Sequence, residues 1–366
     1  MTNQNTYNRP PQGQMMPPPM GQGNHMKILE VSRYKNNFAD HQLPFVTEQG
    51  EALRAAGCEV DYFLVKGNYI TAVKALKAKI REFKPDIVHA HYGLSAITAE
   101  LQSEVPVVTT FHNGETHNRW VNLMTSLMSL RAKHVIYVAP HIRDLVYFEA
   151  RNYSIIPCGV SLEDCFLMDK AEARKHLGWD PKKKYILFGG AFDNERKNYK
   201  LLAEAVELLE KENKENTASI DDRLKMIDEP QKNIICIEMK GLSREECVLR
   251  MNACDVFALP TKNEGSPQAL KEAMACNCPI VATDVADIKH LLGGLPGHYV
   301  LPNKKGNGAF WVGDATSVEK MARLLKEALN FKGRTEGRKR IVELGYTNEL
   351  VAKKIIKIYG KVIVKR

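Results

Sequence analysis

The most informative part of the chain is the segment of residues 262–272, with the sequence KNEGSPQALKE. It carries two carboxylates eight positions apart, Glu264 and Glu272, with a glycine and a proline between them. The apolar run at residues 255–260 predicts a buried strand, and Pro267 is typical of the first turn of a helix. We therefore expect Glu264 in a strand-to-helix loop and Glu272 inside the helix.

The chemistry of this segment suits a ligand with hydroxyl groups at one end and phosphates at the other. Carboxylates accept hydrogen bonds from hydroxyls, and the amides at a helix N-terminus attract phosphate oxygens. Here the amides of Gly265, Ser266 and their neighbours in the turn before the helix would supply those donors. The combination predicts a nucleotide sugar, and the simpler alternative is a helix cap followed by a solvated glutamate.

The segment resembles the E-x7-E element of the retaining GT-B glycosyltransferases of family 4. The family form is roughly E-G-x-P-x-x-x-x-E after a strand ending in Pro-Ser or Pro-Thr, and Pro260-Thr261, Glu264-Gly265, Pro267 and Glu272 match it. The resemblance implies that Glu272 binds the ribose of the nucleotide. It implies that Glu264 binds hydroxyls of the donor sugar, together with the segment from Gly265 to Gln268.

Strands and helices alternate along the chain in two series. The first runs from a strand at residues 27–31 to one at 155–160, and the second from a strand at 184–190 onward. Continuous apolar strands separated by helices predict parallel sheets covered on both faces. The fold class is therefore α/β, with two tandem doubly wound (Rossmann-like) domains and a ligand cleft at the carboxyl ends of their strands.

The resemblance implies a role for each region of this GT-B fold. Residues 26–160 form an acceptor-side domain and residues 161–345 a nucleotide-sugar-binding domain. A C-terminal helix in residues 346–366 crosses back to the first domain. Residues 1–25 are expected to be a disordered extension, because they are rich in proline, glutamine and glycine, and residues 213–232 are expected to be a charged surface insertion.

A cationic pair follows the first strand of the second series. Gly190 ends that strand, and Arg196 and Lys197 resemble the family's cations at the leaving diphosphate. Fixed cations can stabilise the developing charge without a metal. Lys240 lies where the family usually holds the base, and residues 155–160, IIPCGV, resemble the family's linker phrase I-P-N-G-V.

A histidine ends the fourth strand of the first series. Residues 110–115, TFHNGE, resemble the family's strand-end phrase, which implies that His112 projects into the cleft and hydrogen-bonds the donor sugar or its phosphate. His89, His91 and His117 are the alternatives for this role. A loop that is glycine-rich in many relatives contains no glycine here, so Arg33 or side chains in residues 35–37 would replace its backbone contacts.

The sequence excludes several other classes. No G-x-G-x-x-G follows the first strand, which argues against a nicotinamide cofactor. No Asp-x-Asp is present, so the resemblance implies a metal-independent enzyme with no cofactor beyond its donor, a UDP-sugar in preference to a GDP-sugar. No apolar run approaches the roughly 18 residues of a membrane span, and the scattered cysteines predict reduced thiols in a cytoplasmic protein.

The net charge of +9 is concentrated near the C-terminus. Residues 332–366 carry eleven Lys and Arg against three Asp and Glu, which argues against a nucleic-acid partner contacted along the whole chain. Helical spacing predicts that an apolar stripe packs on the protein body, formed by Val351, Ile355, Ile358 and Val362. The remaining basic residues of this region are expected to contact an anionic membrane peripherally, together with the amphipathic stretch around Trp120; they are Arg338, Lys339, Arg340, Lys353, Lys354, Lys357 and Lys361.

The expected function is transfer of a sugar from a nucleotide donor to a hydroxyl of a glycan or lipid-linked acceptor, in surface-polysaccharide biosynthesis. Three alternatives remain open at this point. Nucleotide-sugar epimerases and glycan phosphorylases can use a similar fold, and a non-catalytic nucleotide-sugar binder would need the same pocket.

Overall fold

The computed structural model describes residues 26–33, 43–114, 118–217, 233–304 and 310–364. The predicted N-terminal extension, the loop residues 35–37, His117 and residues 218–232 of the predicted insertion lie outside these ranges. No helix within them is long and apolar enough to cross a membrane.

The first domain is built on a parallel sheet with strand order β2-β1-β3-β4-β5-β6. Its strands are β1 (Lys27–Arg33), β2 (Glu59–Val65), β3 (Ile87–His91), β4 (Val107–Phe111), β5 (His134–Tyr137) and β6 (Tyr153–Ile155). Its helices are α1 (Pro44–Ala55), α2 (Tyr69–Phe83), α3 (Gly93–Glu100), α4 (Arg119–Ser129) and α5 (Pro140–Leu145).

The second domain is built on a parallel sheet with strand order β11-β10-β9-β7-β8. Its strands are β7 (Lys184–Phe188), β8 (Ile234–Glu238), β9 (Val256–Leu259), β10 (Ile280–Thr283) and β11 (His298–Leu301). The helices that follow β6 are α6 (Lys170–Leu177), α7 (Tyr199–Thr217), α8 (Arg244–Ala253), α9 (Gln268–Ala275), α10 (Ile288–Leu292), α11 (Ser317–Asn330), α12 (Gly337–Glu343) and α13 (Asn348–Val364).

The strand orders locate the two places where a ligand can enter. In each sheet the order reverses beside its first strand, between β1 and β3 in the first domain and between β7 and β9 in the second. Loops leaving the carboxyl ends of such neighbouring strands diverge and open a crevice. The predicted doubly wound α/β class is confirmed. The loops after these four strands are therefore where a ligand is expected to bind.

The C-terminal helix α13 packs on the first domain, as its apolar stripe predicts. Val351, Ile355, Ile358 and Val362 are buried in one cluster with Ile28 and Ile87 of the first sheet. The lysines at positions 353, 354, 357 and 361 are exposed.

The basic residues before α13 are used differently from the prediction. Arg338 donates to the carbonyls of Leu162, Cys165 and Ala275 at 2.7–2.9 Å, and Arg340 donates to that of His290. The expectation that Arg338 faces a membrane is therefore wrong, because its guanidinium instead holds the start of the second domain against α9.

Two boundaries and one helix differ from the sequence prediction. Strand β6 ends at Ile155, before the predicted 155–160, because Pro157 has no amide to donate to a ladder. Helix α9 begins at Gln268 with Pro267 as its N-cap, one residue later than predicted. Helix α3 was not predicted, since its eight residues show no clear apolar periodicity and are almost all buried.

Candidate active site

Two glycines at the end of β7 leave room for side chains of β9 and of the loop after β7. A Cβ at Gly189 would lie 2.6 Å from the Phe257 ring, and a Cβ at Gly190 would lie 2.7 Å from Cγ of Lys197. The Lys197 side chain therefore passes directly over Gly190. A short 3-10 helix, Glu195–Lys197, follows, and the Asn194 side chain caps it by accepting from the Arg196 amide.

Glu264 is the centre of this site. Its Oε1 lies 2.7 Å from Lys197 Nζ, 3.1 Å from the Arg196 guanidinium and 3.1 Å from Thr261 Oγ1. Burial by itself would raise the pKa of Glu264, but the charges of Lys197 and Arg196 outweigh it and lower the pKa below its usual value. The sequence prediction that these residues share one site agrees with this geometry, and the carboxylate is ionised at neutral pH.

Helix α9 starts immediately beyond Glu264 and touches the segment that links the two domains. No side chain caps its N-terminus at Pro267. Gln268 was predicted to contact the ligand, and its side-chain Nε2 donates to the Gly159 carbonyl at 2.6 Å. Lys271 is fully buried and donates to the Cys158 carbonyl at 2.6 Å. The side chain of Gln268 therefore binds the linker in this structure.

Glu272, the predicted ribose ligand, is buried beside an arginine that sequence reasoning missed. Arg244 lies 3.2 Å from Glu272 Oε1 and also contacts Glu48 of the first domain. Burial raises the pKa of Glu272, and the charges of Arg244 and Lys271 only partly offset this. The available signal was the capping box of Ser243 and Glu246, which starts α8 and fixes Arg244 in its first turn.

Lys240 and Ser266 take separate positions around this centre. Lys240 follows β8 and pairs with Asp193 at 2.5 Å, where both side chains are exposed.

Ser266 donates to Oδ2 of Asp287 at 2.7 Å. Asp287 is buried, and its Oδ1 has no hydrogen-bond partner within the described ranges. Burial raises the pKa of Asp287 to about 6, and the Ser266 hydroxyl and Lys271 only partly counter this.

His112 lies where the first domain meets the loop of Glu264. A Cβ at Gly265 would be only 2.7 Å from the His112 carbonyl oxygen, so the close approach of the two domains requires glycine at 265. The imidazole ring packs against Phe45 and Tyr92 at centroid distances of 4.6 and 4.8 Å. Burial, followed by the nearby His91 and Lys271, lowers the pKa of His112 well below its ordinary value, so the ring is neutral.

Two further contacts join the domains around Glu264, and neither was predicted. Asn113 donates from its side-chain amide to Oδ1 of Asn263 at 3.0 Å, and His141 Nε2 lies 3.2 Å from the Glu264 carbonyl oxygen. These contacts involve residues far apart in the chain, so no local pattern could indicate them. Together they hold the Glu264 loop against the first domain.

Two family models match successive parts of the chain. "Glycosyl transferases group 1" matches residues 169–347, and "Glycosyltransferase Family 4" matches residues 64–164. Over residues 169–347 the chain is therefore similar to the group 1 glycosyltransferases. Glu264, Glu272, Arg196 and Lys197 all lie within the first of these matches.

The curated relatives are distantly similar to this chain. A Bacillus subtilis protein assigned to teichuronic acid biosynthesis, the glycosyltransferase TuaC, is 25% identical over 231 residues. A D-inositol 3-phosphate glycosyltransferase of Pseudarthrobacter chlorophenolicus is 23% identical over 241 residues. The matches cover 59% and 57% of this chain and span 57% and 56%, little more than half, of those two relatives.

Solved structures share the fold of this chain. A sucrose-phosphate synthase of Thermosynechococcus elongatus superposes with a TM-score of 0.70 at 18% identity, covering 93% of this chain and 100% of the other. Anabaena Alr3699/HepE, solved with UDP and glucose, superposes with a TM-score of 0.65 at 13% identity, covering 92% and 100%. These likenesses show a GT-B fold.

The raised pKa of Asp287 predicts that the stability of this protein depends on pH. Its folded pKa of about 6 lies above the ordinary value of 3.8, so its contribution to stability is complete below pH 3.8 and is lost as pH rises through about 6. We expect Asp287→Asn to remove this loss, which urea unfolding measured from pH 4 to 8 would detect. Ser266→Ala is the matched comparison, since loss of its hydroxyl should extend the loss of stability to higher pH. An Asn variant with the pH slope of the wild type would contradict the assignment.

Proposed function

We propose that this protein transfers a sugar from a nucleotide diphosphate sugar to a hydroxyl of a glycan or lipid-linked acceptor, with retention of anomeric configuration. A UDP-sugar is the favoured donor, a hexose is the favoured sugar, and surface-polysaccharide synthesis is the favoured setting. The TuaC relative is named for the synthesis of such a polymer. The HepE structures that share this fold contain UDP, glucose or UDP-glucose.

The observation that carries the proposal is the cluster of Lys197, Arg196 and Glu264 at the crevice between β7 and β9. In the structure both cations bind the same carboxylate oxygen. A donor diphosphate would compete for these cations and stabilise its own charge as the glycosidic bond breaks. The displaced Glu264 carboxylate could then accept from hydroxyls of the sugar. Two fixed cations beside the leaving group are the reason to propose a reaction that needs no divalent metal.

The proposed nucleotide position follows from Glu272. Ribose hydroxyls are hydrogen-bond donors, and a carboxylate is an acceptor only. In this structure Arg244 pairs with one carboxylate oxygen of Glu272, and it also contacts Glu48 across the cleft. We therefore propose that donor binding separates Arg244 from Glu272. We also propose that Lys240, after β8, contacts the base of the nucleotide.

The proposed alternatives within the same fold differ in what they do with the donor. An epimerase would convert the nucleotide sugar without an acceptor, a phosphorylase would need free phosphate, and a binder would release no nucleotide. The match to glycosyl transferases over residues 169–347 favours transfer over all three.

Nucleotide release with a panel of acceptors tests the proposal. We expect Arg196→Ala and Glu272→Ala each to lower kcat/KM by ten- to a hundredfold, since a hydrogen bond to a charged group contributes about 1.5–3 kcal/mol. The assay is run in excess EDTA and at donor concentrations well below saturation. Lys200→Ala, 85% exposed beside the same loop, is the matched control and should keep full activity. Normal turnover of the Arg196 and Glu272 variants, or full loss of wild-type activity in EDTA, would refute these roles.

The stereochemistry of the product is a separate prediction. Because the site resembles that of retaining enzymes, we expect the new linkage to have the same anomeric configuration as the donor. Proton NMR of the product reads this directly from the anomeric coupling constant. An inverted linkage would remove the retaining assignment while leaving the transferase assignment intact.

We also propose peripheral contact with an anionic membrane, through α4 rather than through the basic tail. Helix α4 is apolar on its outer side, where Trp120 is 75% exposed and Met124 and Leu127 are 43% and 37% exposed. Its buried side is polar, formed by Asn122, Thr125, Ser126 and Ser129. A surface helix normally has the opposite arrangement, and this one is typical of a helix that lies in a membrane interface.

Neighbouring residues extend this apolar surface and give it charge. Leu130, Tyr147 and Phe148 are also 40–49% exposed, and the Tyr147 amide donates to Ser126 of α4. Arg119 and Arg131 are exposed at the two ends of the helix, where they can meet anionic headgroups. The predicted cooperation of α4 with the basic tail is not supported by the geometry. Helix α13 packs on the face of the first sheet that carries Ile28, whereas α4 packs on α3, which covers the face that carries Leu29.

Vesicle co-sedimentation distinguishes these surfaces. We expect binding to vesicles that contain phosphatidylglycerol and little binding to phosphatidylcholine alone. Binding should weaken at high salt and fall at least tenfold in Trp120→Ser/Leu127→Ser, because apolar burial is lost. Lys357→Glu/Lys361→Glu, on the opposite face, is the charge control and should bind normally. Loss of vesicle binding in that control alone would reassign the membrane contact to the basic tail. Concentration-dependent dimerisation that the α4 variant abolishes would identify a second copy of the chain as the partner of α4.

A further inference from the structure

A buried group of polar side chains lies at the crevice of the first domain. Glu30 of β1 and His89 and His91 of β3 are all fully buried. They occupy the two strands between which the strand order of the first sheet reverses. Burial of ionisable groups costs free energy unless each group is paired, so their presence at this position indicates a function.

The group continues as a chain of contacts to the proposed active site. His91 Nε2 lies 2.6 Å from Glu30 Oε2, and His91 Nδ1 lies 3.2 Å from His112 Nε2. At the far end, His112 Nδ1 lies 3.8 Å from the Cys158 sulfur. Glu30 is held on its other oxygen by the Gln49 amide at 3.3 Å. The chain therefore runs from a carboxylate inside the domain to a histidine beside Gly265.

The two ends of this chain impose the same direction of hydrogen bonding. Burial raises the pKa of Glu30, but His89 and His91 outweigh it and lower the pKa, so Glu30 is a carboxylate that only accepts. His91 then donates from Nε2–H to Glu30, and with a single proton on its ring it accepts from His112 Nε2–H with Nδ1. Burial raises the pKa of Cys158, so it remains a thiol that can donate to His112 Nδ1.

We propose that Glu30 and His91 are positioning residues that hold His112 with its proton on Nε2 and a lone pair on Nδ1. The lone pair accepts a hydrogen bond from a hydroxyl of the donor sugar, which replaces the weak thiol donor. In this tautomer His112 Nδ1 cannot donate to a phosphate oxygen, so one of the two roles expected from the sequence is excluded. The identity of the ligand in this inference rests on the proposed function. The tautomer of His112 is independent of that function.

A metal ion is the competing explanation for Glu30, His89 and His91, whose ligand atoms lie within 4.8 Å of one another. Both ring nitrogens of His89 already have partners, Tyr359 at 2.5 Å and Thr110 at 2.7 Å. The 2.6 Å between Glu30 and His91 is also shorter than the roughly 3.3 Å between two ligands of a tetrahedral ion with bonds of about 2.0–2.1 Å. The distances favour direct hydrogen bonds.

Two substitutions at Glu30 test the chain. Glu30→Gln keeps an acceptor oxygen, whereas Glu30→Met has similar length and no acceptor. Two-bond 1H–15N correlation spectra of the histidine rings show which nitrogen carries the proton, and His112→Asn assigns the His112 signals. We expect the Met variant to move the His112 proton from Nε2 to Nδ1 and to lower kcat/KM about tenfold. The Gln variant should have a smaller effect on both.

Tyr359→Phe is the matched control. It removes a buried hydrogen bond to His89 but lies outside the chain from Glu30 to His112. We expect it to destabilise the fold without changing the His112 tautomer or kcat/KM. If Tyr359→Phe shifts both as much as Glu30→Met does, the effect is general loosening of the core and the proposal fails.

The remaining outcomes separate this inference from the proposed function. An unchanged His112 tautomer in Glu30→Met overturns it, whatever the activity. If Arg196→Ala loses transfer while Glu30→Met keeps it, the transferase assignment stands and the role of the chain in sugar binding fails. One tightly bound metal ion per purified chain, whose removal alters the His89 and His91 signals, would replace the hydrogen-bonded chain with a metal site.

Discussion

The site depends on the compensation of one buried carboxylate. Glu264 is 8% exposed, and an unpaired carboxylate at that depth would take up a proton. Lys197 and Arg196, which lie 67 and 68 residues earlier in the chain, supply the compensating charge. This pairing fixes the distance between the loops after β7 and β9, and Gly190 is required because the Lys197 side chain lies over it. The same cations are then available to an anionic ligand.

The interface between the domains is built on the loop that carries Glu264. Gly265 meets the backbone of His112 where no side chain would fit, and Asn263 and the Glu264 carbonyl contact Asn113 and His141 of the first domain. Arg244 adds an ionic contact that joins Glu48 to Glu272. Because these contacts use the groups proposed to bind the donor, opening of the cleft and donor binding are expected to be coupled.

Two parts of the first domain break the usual distribution of polar and apolar residues. Helix α4 buries serine, threonine and asparagine and exposes tryptophan and leucine, whereas the strand ends of β1 and β3 bury a carboxylate and two imidazoles. Each departure lowers the stability expected from burial alone. In our proposals the apolar face of α4 contacts a membrane and the buried carboxylate and imidazoles orient His112, so both departures relate to function.

The sequence by itself determined the alternation of strands and helices, the two domains and the segment that contains Glu264 and Glu272, because apolar periodicity and turn residues are local properties. It also determined the buried stripe of α13, whose 3.6-residue period is unambiguous. Only the tertiary structure decided that Gln268 binds the linker, that Arg338 holds backbone carbonyls, and that Arg244, Glu48 and Glu30 belong beside the site. These roles arise from contacts between residues up to 196 positions apart, as between Glu48 and Arg244, and long-range pairing has no counterpart in local spacing. The orientation of His112 has the same origin, since its two ring partners come from β3 and from the linker.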